Sequence, residues 1–223
     1  MNKYLSLTLL VFLLLLVACG GGATNQDAAS TPAPGVQPPQ TPPGDFSLPA
    51  DSAPNTVQDL KASVQANPSL DGYFELGNAL SRQGQFSEAR SAYEEALKIN
   101  PNHTGSLSNL GVVYYQTGEL DKAITNFEKV LSFDSQDAAT HYLYGATLLQ
   151  MSNFAEAEQR FEDALKIQPD LPEAHFGMGT LYWQMGRVTE AIAEFETFLS
   201  GPPAQDPQAR AQAEQILKQL RAR

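Results

Sequence analysis

Residues 70–103 read LDGYFELGNALSRQGQFSEARSAYEEALKINPNH, and the three stretches that follow repeat their spacing. Leu76-Gly77 returns as Leu110-Gly111, Tyr144-Gly145 and Met178-Gly179, each 34 residues after the last. Twelve residues beyond each glycine stands an alanine (Ala89, Ala123, Ala157, Ala191), and four further on an aromatic ring (Tyr93, Phe127, Phe161, Phe195). A constant period of this length marks an array of like units: 70–103, 104–137, 138–171 and 172–205. Within a unit, Tyr73, Leu76, Gly77 and Leu80 fall at i, i+3, i+4 and i+7, one face of a helix. Ala89, Tyr93 and Ala96 form a second such face after the turn Gln83-Gly84-Gln85. Glycine inside a helix costs about 1 kcal/mol against alanine, so its recurrence needs a cause. Close approach of the paired helix supplies one, with alanine expected to face glycine and the ring to fill the remaining gap. A hairpin buries only one side alone, so the units must stack into a solenoid with a concave face.

The spacing resembles that of the tetratricopeptide repeat. The opening aromatic of that pattern corresponds to Tyr73, Leu107, His141 and His175, and its tyrosine to Leu80, Tyr114, Leu148 and Tyr182. The second small position is Ala96, Val130, Ala164 and Phe198; the closing proline is Pro101, Ser135, Pro169 and Pro203. Membership of this family implies an all-α, right-handed solenoid of four helix hairpins. Flanking helices are expected at both ends. Val57, Leu60 and Val64 make an apolar stripe ahead of Asn67-Pro68, placing an N-terminal flanking helix within 56–69. Pro207 can open a capping helix within 206–223, with Ala209, Ala213, Ile216, Leu217 and Leu220 on one face.

The resemblance also implies where partners bind: the first helix of each repeat lines the groove. Transferred by position, the groove residues are Phe74, Asn78, Arg82, Val112, Tyr115, Gln116, Tyr142, Gln150, Phe176, Thr180, Trp183 and Gln184. The expectation is an aromatic groove with amides and little charge, suited to an apolar or extended peptide. The competing expectation is that some of these rings pack between neighbouring repeats. The carboxylate clamp known in this family is excluded. Asn78 and Asn109 occupy its asparagine places, but Phe74, Ala139 and Leu143 stand where its cations belong. A carboxylate there lacks a charged partner.

The chain ahead of the repeats reads differently. Leu5 to Val17 is apolar apart from Ser6 and Thr8 and follows Lys3. A helix of that length reaches roughly 20 Å, short of a ~30 Å hydrocarbon core, so an export signal is favoured over a membrane span. Leu16-Val17-Ala18-Cys19 resembles the lipobox of bacterial lipoproteins. That resemblance implies a signal peptide over 1–18, cleavage after Ala18 and diacylglyceryl transfer to the Cys19 sulfur. The competing reading is an ordinary secretory signal. Lipidation would place the protein in the bacterial cell envelope, on the extracytoplasmic side. Gly20 lacks the aspartate associated with inner-membrane retention, so an outer membrane is expected if the organism has one. Residues 19–55 read as a lipidated cysteine and a tether: eight prolines, no Lys or Arg, and only Val36, Phe46 and Leu48 as sizeable apolar side chains.

Composition narrows the chemistry. The 223 residues carry 14 Lys and Arg against 25 Asp and Glu, a net charge of −11. Such acidity argues against nucleic acid and anionic headgroups as partners. One cysteine and three histidines leave no metal-ligand pattern, and His141 and His175 read as packing residues. No phosphate loop, dinucleotide turn or nucleophile motif is present, so neither enzyme activity nor a cofactor is expected. Glu94, Glu95, Glu156, Glu158 and Glu162 alternate with Lys and Arg as a solvated outer face. The expected function is a lipid-anchored scaffold that binds a protein or peptide. The alternative is a glycan- or small-molecule-binding accessory subunit, with Tyr142 and Trp183 stacking on the ligand.

Overall fold

The computed structural model describes residues 56–201 and 207–222, all helix and turn. The export signal, Cys19, the tether and Pro203 lie outside the described residues. Ten helices follow one another: α1 (Val57–Ala66), α2 (Leu70–Arg82), α3 (Phe86–Ile99), α4 (Thr104–Gln116), α5 (Leu120–Phe133), α6 (Ala138–Gln150), α7 (Phe154–Ile167), α8 (Pro172–Gln184), α9 (Val188–Ser200) and α10 (Pro207–Arg221). Their starts are chemically marked. Thr56 and Asp59 form a reciprocal capping box on α1, Ser69 and Asp137 cap α2 and α6, and Pro172 opens α8 at its first position. His103 caps α4 through Nδ1, which accepts from the Ser106 amide.

Antiparallel pairs α2/α3, α4/α5, α6/α7 and α8/α9 form the repeating hairpins, and each second helix packs on the first helix of the next hairpin. Neighbouring first helices also touch (α2 with α4, α4 with α6, α6 with α8), whereas no comparable pairing joins the second helices. The array therefore curves with α2, α4, α6 and α8 inside. This is an all-α solenoid, as the periodicity required. The flanks keep its phase. α1 packs on α2 as a second helix would, and α10 packs on α9 as a first helix would. In α10, Ala213 stands 34 residues after Gly179.

The need for glycine is set by the rings. A Cβ on Gly77 would lie 2.5 Å from Tyr93, on Gly111 2.6 Å from Phe127, and on Gly145 and Gly179 2.8 Å from Phe161 and Phe195. The aromatic ring, not the alanine expected from the sequence, is the nearest group to each glycine. Ala89, Ala123, Ala157 and Ala191 are fully buried beside it. Phe161 is also pressed from the next repeat, where a Cβ on Gly177 would come within 2.7 Å of its ring. One ring thus locks two repeats together.

Candidate functional site

The inner helices carry the groove, and their composition sets its character. α4 (TGSLSNLGVVYYQ) and α6 (AATHYLYGATLLQ) contain no Asp, Glu, Lys or Arg. Their solvent-facing side chains are small or amide: half-buried Gly105, Ser108, Asn109, Val112 and Gln116 on α4, half-buried Ala139 and Ala146 with exposed Gln150 on α6. Charge enters only at the ends, through Asp71, Glu75 and Arg82 of α2 and Glu173 of α8. Burial pushes the Glu173 carboxyl above the usual carboxylate range.

Most of the aromatic side chains expected on this surface are not on it. Tyr142 and Phe176 are each 1 % exposed, and Tyr115 and Trp183 are also buried. Tyr142 turns toward Phe161, centroids 6.1 Å apart. Phe176 packs edge-on against Phe195 and Phe198 at 5.8 and 5.2 Å. Phe198 replaces the small residue of the other repeats, and together with Phe176 it fills the last hairpin with rings. Burying such large apolar area within and between hairpins outweighs displaying it, at roughly 25 cal/mol per Å². Thr180 is buried as well, its hydroxyl donating to the Phe176 carbonyl at 2.9 Å. Burial pushes the Tyr115 hydroxyl up to about 12, so it stays protonated. Stacking of a sugar on Tyr142 or Trp183 therefore lacks an accessible platform.

Six of the transferred groove residues keep some solvent access: Phe74, Arg82, Val112, Gln116, Gln150 and Gln184. Phe74 lies edge-on over His103, centroids 5.0 Å apart, and bounds the space above Gly105. Asn78 is buried in a network that joins three helices. Its Oδ1 accepts from the Tyr93 hydroxyl and from Asn109 Nδ2, both at 2.7 Å. Asn109, left out of the transferred set, is thereby fixed at the groove surface. Its signal in the sequence was its place one residue before Leu110-Gly111, equivalent to Glu75 and Leu143 in neighbouring repeats.

The histidines serve the scaffold. His175 Nδ1 lies 2.7 Å from Glu194 Oε2 and its Nε2 lies 2.9 Å from the Pro169 carbonyl. Both partners only accept, so both ring nitrogens donate and the imidazolium is favoured. The Glu194 bond raises its pKa above the usual histidine range against the opposing effect of burial. His141 occupies the same register, with Nε2 donating to the Ser135 carbonyl at 3.2 Å and Nδ1 buried without a partner. Among the described residues, no group of three or more His, Cys, Asp or Glu side chains is placed to hold a metal ion.

Sequence profiles of the tetratricopeptide repeat match residues 69–136, 104–170 and 148–219. The chain belongs to the tetratricopeptide repeat family. Solved structures of this family share its fold. The thermophilic repeat protein TTC0263 of Thermus thermophilus is 20% identical with a TM-score of 0.63, the match covering 73% of this chain and 89% of that one. MamA 41-end from Desulfovibrio magneticus RS-1 is 20% identical with a TM-score of 0.61, covering 67% and 85%. YrrB, described as a repeat protein with an unusual peptide-binding site, is 20% identical with a TM-score of 0.57, covering 75% and 84%. No curated protein sequence matches. At these identities the likeness concerns the fold alone. Tetratricopeptide domains are in general non-enzymatic scaffolds that bind protein or peptide partners.

Proposed function

We propose that this protein is a lipid-anchored, non-catalytic scaffold of the bacterial envelope whose concave groove holds an extended, weakly charged segment of a partner protein. One observation carries the binding half: α4 and α6, the middle of the groove, contain no Asp, Glu, Lys or Arg and present small and amide side chains. Small residues leave room for a peptide backbone. Asn109, Gln116, Gln150 and Gln184 can each donate to and accept from peptide groups. Charged segments are disfavoured, because a charge desolvated there finds no counter-ion. YrrB offers a precedent within the fold for a peptide site. The anchoring half rests on Leu16-Val17-Ala18-Cys19 in the sequence. Two or three acyl chains at Cys19 would hold the domain at a membrane far better than one.

A photoreactive residue at Gln150, compared with one at Glu162 on the outer face, tests the groove in cells. Capture of one discrete protein from position 150 and not from 162 is expected. Equal capture from both would overturn the groove assignment. In the same cells, Cys19→Ser should lose metabolic acyl labelling and leave the membrane fraction or remain an uncleaved precursor. A wild type that is soluble and carries no acyl label refutes the anchor.

A further inference from the structure

Between successive outer helices, three of four intervals are closed by a tyrosine with an acid on one side and a cation over its face. The Tyr114 hydroxyl donates to Glu94 at 3.4 Å, with Lys122 Nζ 5.3 Å from the ring centroid. Tyr144 donates to Glu128 at 2.9 Å under Arg160, and Tyr182 donates to Glu158 at 3.0 Å under Arg187. All three rings are buried. The first interval, between α1 and α3, has no ring at these positions, and Tyr73, which also borders it, lies a turn nearer the start of α2. Leu76 stands where Tyr144 does and Leu80 where Tyr114 and Tyr182 do. The charges there are reversed, with Lys61 of α1 paired to Glu88 of α3. What remains is an open cleft of about 410 Å³ lined by Tyr73, Leu76, Leu80 and Ala92, with Lys61, Glu88 and Glu95 among its polar neighbours.

The cleft is uncovered on a particular side. α1 has 10 residues where α3, α5 and α7 have 14. Its C-terminal end matches theirs, Asn67-Pro68 standing for Asn100-Pro101, so the missing turn is the N-terminal one. α1 and α3 both run antiparallel to α2, which sets that missing turn beside the start of α3, where Ser87 and Glu88 border the cleft. Thr56, the first described residue, thus stands on the uncovered side. Lys61 is five residues into the chain from Thr56, roughly 8 Å along the helix.

We propose that this cleft receives Phe46 and Leu48 of the chain's own N-terminal segment. They are the last large apolar side chains before the helices, ten and eight residues ahead of Thr56. Ten and eight residues of extended chain reach at most roughly 33 and 26 Å from Thr56, enough for a return to the cleft. In an extended strand, side chains two residues apart point to the same face, so both can enter together. Phe46 would supply to the first interval the ring that Tyr114, Tyr144 and Tyr182 supply to the others. Residues 20–45 would then be the spacer, shorter than the full proline-rich stretch.

Chymotrypsin cleavage of the full-length chain at the Phe46-Ser47 bond, followed by mass spectrometry, tests this; the Leu48-Pro49 bond is not a substrate because proline follows it. Leu80→Tyr places in the cleft the ring that its counterparts carry and should speed cleavage by about fivefold or more, since proteolysis follows the undocked population. A second variant, Phe46→Ser with Leu48→Ser, lies outside the helices and does not touch their packing. It should accelerate amide exchange at Val57–Leu60 by a similar factor. If Leu80→Tyr fails to fold, the exchange result decides. Equal cleavage in wild type and a folded Leu80→Tyr, or unchanged exchange in the double-serine variant, overturns the proposal.

Discussion

Replacing Gly145 with alanine sets two known effects against each other. Alanine improves helix propensity by about 1 kcal/mol, so an uncrowded site would be stabilised. At Gly145 the new Cβ would sit 2.8 Å from Cδ1 and Cε1 of Phe161, against 3.4 Å for an ordinary contact, a deficit of about 0.6 Å. The ring cannot retreat. On its other side Gly177 already stands so close that a Cβ there would meet it at 2.7 Å. Tyr142 bounds the same space, and Phe161 is fully buried. Relief must come from parting α6 and α7 or α7 and α8, an overpacking cost typically of 1–3 kcal/mol. Subtracting the propensity gain leaves a net loss of up to about 2 kcal/mol, or a fall in melting temperature of up to roughly 8 °C for a domain of this size. Circular dichroism at 222 nm on the wild type and Gly145→Ala measures it. Phe161→Leu supplies the second arm of a double-mutant cycle, because removing the ring should free room for the methyl group. The double variant is expected to be more stable than the sum of the singles by about 1 kcal/mol or more. A Gly145→Ala protein that melts at or above wild type, with no coupling to Phe161→Leu, would refute the claim that this ring sets the glycine.

Other outcomes follow from local geometry. Ser152 holds φ = +61° in the turn where Gly84, Gly118 and Gly186 hold +71°, +78° and +74°. Left-handed backbone costs a non-glycine residue about 1 kcal/mol or more, so Ser152→Gly should raise the melting temperature slightly and Gly118→Ser lower it. The imidazolium of His175 gives a pH signature: because its folded pKa is raised above the unfolded value of about 6.5, its contribution is complete below that value and is lost as pH rises through the folded pKa. Urea titrations across pH 5 to 9 should show this loss in the wild type and a flatter profile in Glu194→Gln, which removes the main cause; identical profiles would show that the pair is not coupled to folding.

The sequence by itself determined the fold class, the period and the phase. Gly77, Gly111, Gly145 and Gly179 each require a close helix, though only the structure showed that the ring sixteen residues on, rather than the alanine, needs the room. Local chemistry sufficed, since a helix face repeats at i, i+3, i+4 and i+7 whatever surrounds it. The lack of charge in the middle of the groove was equally legible, because α4 and α6 contain no Asp, Glu, Lys or Arg in any orientation.

Tertiary structure alone decided which way the rings point. Tyr142 and Phe176 stand at the margin between the concave line and the seam within the hairpin, and a periodicity of 3.6 residues does not resolve that margin. Packing resolves it: α7 and α9 offer Phe161, Phe195 and Phe198 as partners, and apolar area is better removed from water than displayed. The tie of Asn78 to both Tyr93 and Asn109, and the clasp of His175 by Glu194 and the Pro169 carbonyl, likewise join groups from different helices and turns. Such bonds depend on distances between segments, which spacing along one chain does not specify. The first interval makes the same point: leucine at positions 76 and 80 is an ordinary variation in the sequence, and it becomes a cleft only because α1 stops one turn short of covering it.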